Sequence, residues 1–246
     1  MSAPSVSDSL PSLALLAGGL ATRLRPITAS IPKSLVEVAG EPFIAHQLRL
    51  LVSKGISDVV VCTGYLGERI EAFVGDGNAF GCRVQYSSDG DKPLGTGGAL
   101  RHALPLLGPQ FFVMYGDSYL DTSLRPIFEA FLAGAKPALM TVFHNSNRWD
   151  TSNVEFIDGL ILRYDKVNRT PDMHYIDYGL GVFSADALRQ HPDGLACDLS
   201  SIYSSLAERH QLAGYEVHER FYEIGSHMGL KELDAYLRKR ANALLT

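Results

Sequence analysis

The chain is poor in the features that assign a protein to a class at a glance. Only three cysteines occur, Cys62, Cys82 and Cys197, odd in number and widely spaced. A disulfide framework is therefore excluded, and a reducing compartment, the cytoplasm, is the expectation. No apolar run approaches the roughly 18 residues of a membrane span. The apolar stretch from Leu13 to Ala21 lacks the basic segment that would precede it in a secretory leader. Positive charge is not in excess either: 22 basic against 27 acidic residues leave a formal charge of −5. That balance argues against nucleic acid or an anionic membrane as a partner. The eight histidines never fall at H-E-x-x-H spacing and no Cys-x-x-Cys pair exists, so no zinc centre is expected and each histidine reads as structural or surface. Also absent are the Gly-x-x-x-x-Gly-Lys-Ser/Thr phosphate loop and the Gly-x-Gly-x-x-Gly dinucleotide fingerprint.

What is present centres on one stretch. Leu13 to Ala17 is apolar at every position, as a strand buried on both faces of a parallel sheet must be, and it stops at Gly18-Gly19. Two glycines at that point let the backbone turn and bring its N–H groups against a phosphate or a base. Arg23, Arg25 and Lys33 follow, bracketed by Pro26 and Pro32, with no acidic residue among them. Uncompensated cations beside a glycine turn mark a polyphosphate site.

The rest of the chain repeats strand, loop and helix. Helical periodicity covers Phe43 to Gly55 and Leu66 to Val74, with buried-strand patterns at Asp58 to Cys62, Arg83 to Ser87 and Phe111 to Tyr115. Asp117 follows the last of these at the strand's carboxyl tip, where it either holds Mg²⁺ against phosphates or caps a turn. The glycine-rich segment Leu94-Gly-Thr-Gly-Gly-Ala-Leu-Arg101 opens a helix. It offers free N–H donors to an anion or base edge, or it allows close helix packing, and the spacing leaves both open. Beyond it come a helix from Leu124 to Leu132, a strand from Pro137 to Phe143 and a hairpin from Val154 to Tyr164 over Asp158-Gly159. Asp198 is expected to cap a helix reaching about His210, before a strand from Leu212 to Val217 and a closing helix over 226–245. The expected fold class is α/β: a single domain with a Rossmann-like, mixed, mostly parallel sheet flanked by helices. It spans 13–246, behind a Ser/Pro-rich disordered tail at 1–12.

Leu16-Ala-Gly-Gly-Leu-Ala-Thr-Arg-Leu-Arg-Pro, with Ile31-Pro-Lys-Ser-Leu after it, resembles the signature of the sugar-1-phosphate nucleotidylyltransferases, or NDP-sugar pyrophosphorylases. The family usually writes Gly-x-Gly-Thr-Arg and Pro-Lys-Pro, where this chain has Ala21 and Ser34. The resemblance extends over roughly residues 13 to 240. It implies the nucleotide-diphospho-sugar transferase fold and a Mg²⁺-dependent reaction of an NTP with a sugar 1-phosphate, giving an NDP-sugar and pyrophosphate. By the same resemblance Arg23 and Lys33 are catalytic, and Leu16, Ala17, Gly18, Gly19, Gly95 and Thr96 border the nucleotide. Tyr164-Asp-Lys-Val167 is similar to the family's Glu-Lys-Pro, which assigns Asp165 and Lys166 to the sugar phosphate. Ile176-Asp-Tyr-Gly-Leu-Gly-Val-Phe183 is similar to Asn-x-Gly-x-Tyr-x-Phe, which assigns Asp177 and Gly179 there too, with aspartate in place of asparagine. Arg220-Phe-Tyr-Glu-Ile-Gly-Ser226 stands where relatives have Trp-x-Asp-x-Gly-Thr, so Glu223 joins Asp117 as a metal ligand.

The Leu94 to Arg101 segment looks most like heptose-1-phosphate guanylyltransferases and N-acetylmuramate-1-phosphate uridylyltransferases. No hexapeptide repeat follows the domain. Assembly into homo-oligomers is left open. A glycosyltransferase of related fold would carry an Asp-x-Asp motif, a spacing that Asp117 and Asp121 do not have. A non-catalytic regulator would have lost the site charges, which this chain keeps.

Overall fold

The computed structural model describes residues 9–19, 24, 26–145, 148–149 and 151–243. Nine strands form its main sheet: β1 (Leu13–Leu16), β2 (Asp58–Thr63), β3 (Arg83–Ser88), β4 (Gln110–Tyr115), β5 (Ala138–His144), β6 (Val154–Ile157), β7 (Leu160–Tyr164), β8 (Tyr175–Ser184) and β9 (Leu212–Val217). Their order across the sheet is β3-β2-β1-β4-β8-β5-β9-β7-β6. The first four are mutually parallel, with Leu13 level with both Val59 and Phe112. β8 runs antiparallel to both β4 and β5, β9 is parallel to β5, and the β6–β7 hairpin closes the far side. The sheet is thus parallel over one half and mixed over the other. The hairpin turns at Asp158 and Gly159, both at positive φ (49° and 80°), as a two-residue turn matched to the twist of its strands requires.

Alternation along the central strands explains the two helical layers. Leu13 and Leu15 face one side with Val59, Val61, Phe112 and Met114, while Ala14 and Leu16 face the other with Val60, Cys62, Phe111 and Val113. The first face is covered by α1 (Phe43–Ser53), α2 (Gly67–Val74) and α4 (Leu124–Gly134), the second by α3 (Gly95–His102), α5 (Ala185–Arg189) and α6 (Leu199–Glu208). Full burial of Leu13 and Leu15 stabilises the fold by about 1.5–3 kcal/mol each. A smaller third cluster lies under α7 (His227–Ala243), where Leu233 and Leu237 meet Val38, Phe43, Tyr119 and Ile224.

Several boundaries differ from expectation. Leu10 is buried in the first cluster, and the Ser12 carbonyl accepts the Phe112 N–H at 2.9 Å. The anticipated tail through residue 12 is therefore too long at its inner end: composition averaged over a Ser/Pro-rich stretch concealed one apolar anchor. Asp198 occupies the position before α6, but its carboxylate makes no capping bond. The Leu199 N–H donates instead to Thr96 Oγ1 at 2.8 Å, a partner about a hundred residues away that no local motif signals. Among the described residues no helix is long and apolar enough to cross a membrane.

Candidate active site

The carboxyl ends of β1, β3 and β4 share one sheet edge, where open α/β sheets bind ligands. A cavity of about 440 Å³ lies there, floored by Leu16, Ala17, Gly18 and Gly19 and walled by Asp89, Gly95, Thr96, Tyr115 and Asp117. Lys33 enters it from a single helical turn, Lys33–Leu35, started by the fixed φ of Pro32. Its ammonium donates to Asp117 Oδ2 at 2.7 Å. Of the expected residues the cavity therefore gathers Leu16, Ala17, Gly18, Gly19, Lys33, Gly95, Thr96 and Asp117. Arg23, expected to be catalytic, and Arg25 lie outside the described residues.

The glycine-rich opening of α3 resolves in favour of close packing at two of its positions. Gly97 and Gly98 both donate their N–H groups to the Cys197 carbonyl, at 2.9 and 3.1 Å, so those donors are not free for a ligand. A Cβ on Gly98 would stand 2.7 Å from the Leu195 carbonyl oxygen, and one on Gly95 would stand 2.6 Å from that of Cys197. Gly95 and Thr96 still line the cavity, although the Thr96 hydroxyl is committed to capping α6.

Leu16 and Tyr115 also border a narrow crevice, with no room for a water molecule, whose other lining residues include Asp177, Gly179 and Tyr203. Gly179 sits at φ +93° where β8 shifts register against β5, between Asp177 and Gly181. Only glycine adopts that backbone readily, and a Cβ would also press Ser118 Oγ at 3.1 Å. The kink turns the Gly179 N–H onto Asp177 Oδ1 at 2.9 Å, while the Tyr164 hydroxyl donates to Asp177 Oδ2 at 3.1 Å. Burial raises the Asp177 carboxyl above its ordinary range, against the pull of the Lys166 charge. Lys166 extends over the rings of Tyr115 and Tyr164, at 5.8 and 5.7 Å from their centres. Burial, with Asp177, Asp117 and Asp198 nearby, pushes the Tyr115 phenol well above its usual value, so it stays protonated as a donor.

Asp165 points elsewhere, and Glu223 stands at the edge of the cavity beside Gly225. Asp165 Oδ1 accepts the N–H groups of Val167 and Asn168, both at 2.8 Å, which folds the loop carrying Lys166 rather than filling a pocket. Glu223 pairs across a two-residue ribbon with Ser118, and the Ile224 N–H donates to the Asp117 carbonyl at 2.9 Å. Glu223 and Asp117 are thus neighbours at one end of this ribbon. The Glu223 carboxylate accepts the Gly225 N–H through Oε2 and the Ser226 hydroxyl through Oε1, the latter at 2.7 Å.

The donor chemistry here fits Mg²⁺. Asp117 keeps Oδ1 with only the Ser118 hydroxyl beside it at 3.4 Å, and each Glu223 oxygen retains a lone pair. No group of three or more His, Cys, Asp or Glu side chains disposed to hold a metal occurs among the described residues. A hard cation that uses one or two carboxylates and completes its shell with water and substrate phosphates needs no such group.

Among the cavity residues that sequence reasoning overlooked, the polar ones are Ser34, Asp89, Tyr115 and Asp198. Asp89 follows β3 as Asp117 follows β4, so the rule about strand tips would have found it. Ser34 is 2% exposed and its hydroxyl has no hydrogen-bond partner among the described residues, which no linear pattern discloses. Cys62 also lines the cavity, but burial raises its thiol to about 12, so it is no nucleophile.

Residues 14–153, more than half of the chain, match the family model described as nucleotidyl transferase. The chain is 40% identical over 116 residues to the N-acetylmuramate alpha-1-phosphate uridylyltransferase of Neisseria meningitidis serogroup B, a match covering 47% of this chain and 50% of that protein. It is 37% identical over 139 residues to the mannose-1-phosphate guanylyltransferase of Mycobacterium tuberculosis, covering 56% of this chain and 35% of that one. It therefore spans half or less of these curated relatives. Among solved structures, HddC from Yersinia pseudotuberculosis complexed with GMP-PN superposes with a TM-score of 0.76 at 20% identity, over 93% of this chain and 100% of that one. At that identity the likeness is one of fold.

Proposed function

Since the chain belongs to the nucleotidyl transferase family, we propose that it transfers a nucleoside monophosphate from an NTP to a sugar 1-phosphate, releasing an NDP-sugar and pyrophosphate. The observation that carries this reading is the cavity at the carboxyl edge of the parallel strands, in which Lys33 meets Asp117 at 2.7 Å beside the Gly18-Gly19 turn, with Lys166 over the ring of Tyr115 in its wall. Two cations beside one cavity suit a reaction that joins two phosphates.

A phosphate oxygen of the sugar attacks the α-phosphorus in line, the bond to the bridging oxygen breaks, and pyrophosphate leaves. No side chain is needed as a nucleophile, so the protein contributes position and charge. Lys33 lies against the transferring phosphates, with Asp117 orienting its ammonium; Arg23 serves the triphosphate and the leaving pyrophosphate. Leu16, Ala17, Gly18, Gly19, Gly95 and Thr96 border the nucleotide. Lys166 meets the sugar phosphate, Asp177 and Gly179 face the sugar, and Asp165 shapes the loop that presents Lys166. Mg²⁺, held by Asp117 and Glu223, supplies neutralisation of phosphate charge when bound. The substrate pair resembles that of a heptose-1-phosphate guanylyltransferase or an N-acetylmuramate-1-phosphate uridylyltransferase. The Neisseria relative supports the second, and the fold neighbour bearing a guanine nucleotide analogue agrees with the first.

A panel of NTPs against sugar 1-phosphates, read by pyrophosphate release, tests the reaction. Turnover should stop with EDTA and return with Mg²⁺. Lys33→Met should lower kcat/KM by about 10²–10³-fold, the usual loss on removing one charge-stabilising group. Its effect on stability should stay within about 1 kcal/mol, because the pair is partly solvated, at 18% and 37% side-chain exposure. A folded Lys33→Met protein with wild-type turnover removes the catalytic assignment, and release of a nucleoside diphosphate from a supplied NDP-sugar, with no pyrophosphate from any NTP, would mark a glycosyltransferase.

A further inference from the structure

The arm that carries Glu223 beside Asp117 has little regular structure of its own. Its ribbon consists of two residue pairs, Tyr222 with Tyr119 and Glu223 with Ser118, too short to persist in water without packing from outside. The Glu223 carboxylate bonds Gly225 and Ser226 on the same arm, which fixes it relative to its own loop and not relative to Asp117. Packing therefore has to set the arm. Phe221 meets Phe143 and Tyr178 and anchors the inner face to the sheet. On the outer face flat groups lie against one another. The Arg220 guanidinium lies over the indole of Trp149, 3.9 Å from its centre, and over the ring of Tyr222 at 4.8 Å. Tyr222 in turn stacks on Tyr236 of α7 at 4.4 Å.

Trp149 is the chain's single tryptophan and is half exposed, yet its backbone is tied down. Its N–H donates to Asn145 Oδ1 at 3.1 Å, and the fully buried Asn145 donates through Nδ2 to Ser152 Oγ at 3.2 Å. Asn153, next in the chain, accepts the Asp177 N–H through Oδ1 at 3.2 Å, so the indole stands on the segment that braces Asp177. Arg220 also meets Glu232 at 2.5 Å, but that pair is 34% and 43% exposed and steadies little. Its Nε is buried without a hydrogen-bond partner among the described residues, so the guanidinium is placed for its face as much as for its donors. Resting on the nucleotidyl-transfer reading and its Mg²⁺, we propose that Arg220, clamped by the Trp149 ring, is a positioning residue for Glu223.

The chemistry of the metal makes such a clamp matter. Mg²⁺ demands near-ideal octahedral geometry with oxygens at about 2.0–2.1 Å, so a small displacement of one carboxylate weakens binding while both ligands remain in the chain. Arginine suits the task. Its planar, always-charged guanidinium stacks on a ring face, whereas a lysine ammonium is a point charge on a flexible stem. Without the indole the guanidinium loses one of its two faces, and the arm loses its tie to the segment that braces Asp177. If Arg220 merely shielded an exposed indole from water, its removal would change stability and leave the metal site as it was.

Calorimetric titration of the full chain with inorganic tripolyphosphate, with and without Mg²⁺, measures the metal contact apart from turnover, since the ratio of the two affinities is the metal's contribution. Arg220→Met should lower that ratio by roughly 3- to 30-fold, the factor that a cation–π contact supplies, and leave the metal-free affinity unchanged. Trp149→Ala, made at an exposed ring, should do the same and carries the test if Arg220→Met does not fold. The double variant should be no worse than the weaker single one, because both remove one contact. Trp149→Phe keeps a ring and should recover most of the ratio, Arg220→Lys only part. In pyrophosphate release the single variants should need proportionally more Mg²⁺ for half-maximal rate and reach the wild-type rate at saturation. Variants with a lower Tm and an unchanged ratio, or a wild type whose ratio is near one, overturn the inference and leave nucleotidyl transfer standing if pyrophosphate is released. A wild type that neither binds tripolyphosphate nor releases pyrophosphate overturns the two together.

Discussion

Asp177 illustrates how the exchange of an amide for a carboxylate is decided by its surroundings. Aspartate stands where the similar motif has asparagine, and burial lifts its carboxyl while Tyr164 and Gly179 each donate to it. With the folded value above the unfolded one, about 3.9, the native state binds the extra proton between the two values. Stability therefore falls as pH rises through that window and is level above it. Asp177→Asn carries no charge to desolvate, keeps the acceptor for Gly179 N–H, and lets the Tyr164 hydroxyl rotate to accept from the amide. Urea unfolding at a series of pH values should show the variant gaining on the wild type from about pH 4 upward, then holding a constant advantage at neutral pH. A difference independent of pH would show that the carboxylate is not desolvated in the native protein. Asp165, only twelve residues earlier, has its carboxyl lowered by the N–H groups of Asn168 and Val167. Both acids occur in family-like motifs, and their electrostatics run in opposite directions because one is buried at a strand kink and the other sits in an exposed turn.

At the scale of elements, α3 and α6 are held together by glycine on one side and threonine on the other. The glycines were legible in the sequence, their purpose was not, since the residues they admit, 195–198, lie about a hundred positions away. Gly98→Ala discriminates between the two readings of the segment. Alanine should favour a helix by about 1 kcal/mol, whereas forcing a Cβ to 2.7 Å from the Leu195 carbonyl costs about 1–3 kcal/mol because a backbone atom, not a flexible side chain, must yield. A net loss of about 1–2 kcal/mol is expected, read as a lower urea midpoint at an unchanged slope. A stabilised variant would mean that the 195–198 segment does not pack there.

At the scale of the molecule, α7 and the ribbon formed by Ser118–Tyr119 and Tyr222–Glu223 link the chain's last helix to the site. Leu233 is fully buried against that ribbon, and Ala39 N–H donates to Asp234 Oδ1 at 2.7 Å one residue on. Leu233→Ala should cost about 2–5 kcal/mol, the usual range for an unfilled leucine cavity. Calorimetry should record this as a lower Tm. A change near zero would show that the helix is not part of the cooperative core.

Elements of the fold were readable from the chain because their causes are local: alternation in Leu13–Leu16 and Phe111–Tyr115, a left-handed turn at Asp158-Gly159, helical phase in Leu199, Ile202 and Leu206. The lysine and aspartate that meet in the cavity were equally readable, since each follows a proline or a strand tip that aims it. What only the tertiary structure decided is which carboxylates enter the cavity. Asp89 and Asp198 do, while Asp165 is turned onto its own loop and Glu223 stands at the edge, bonded to the Gly225 N–H. A periodic pattern specifies the face a residue occupies, but a polar side chain's partner depends on which backbone donors the folded chain brings within about 3 Å, and those donors arrive from distant segments.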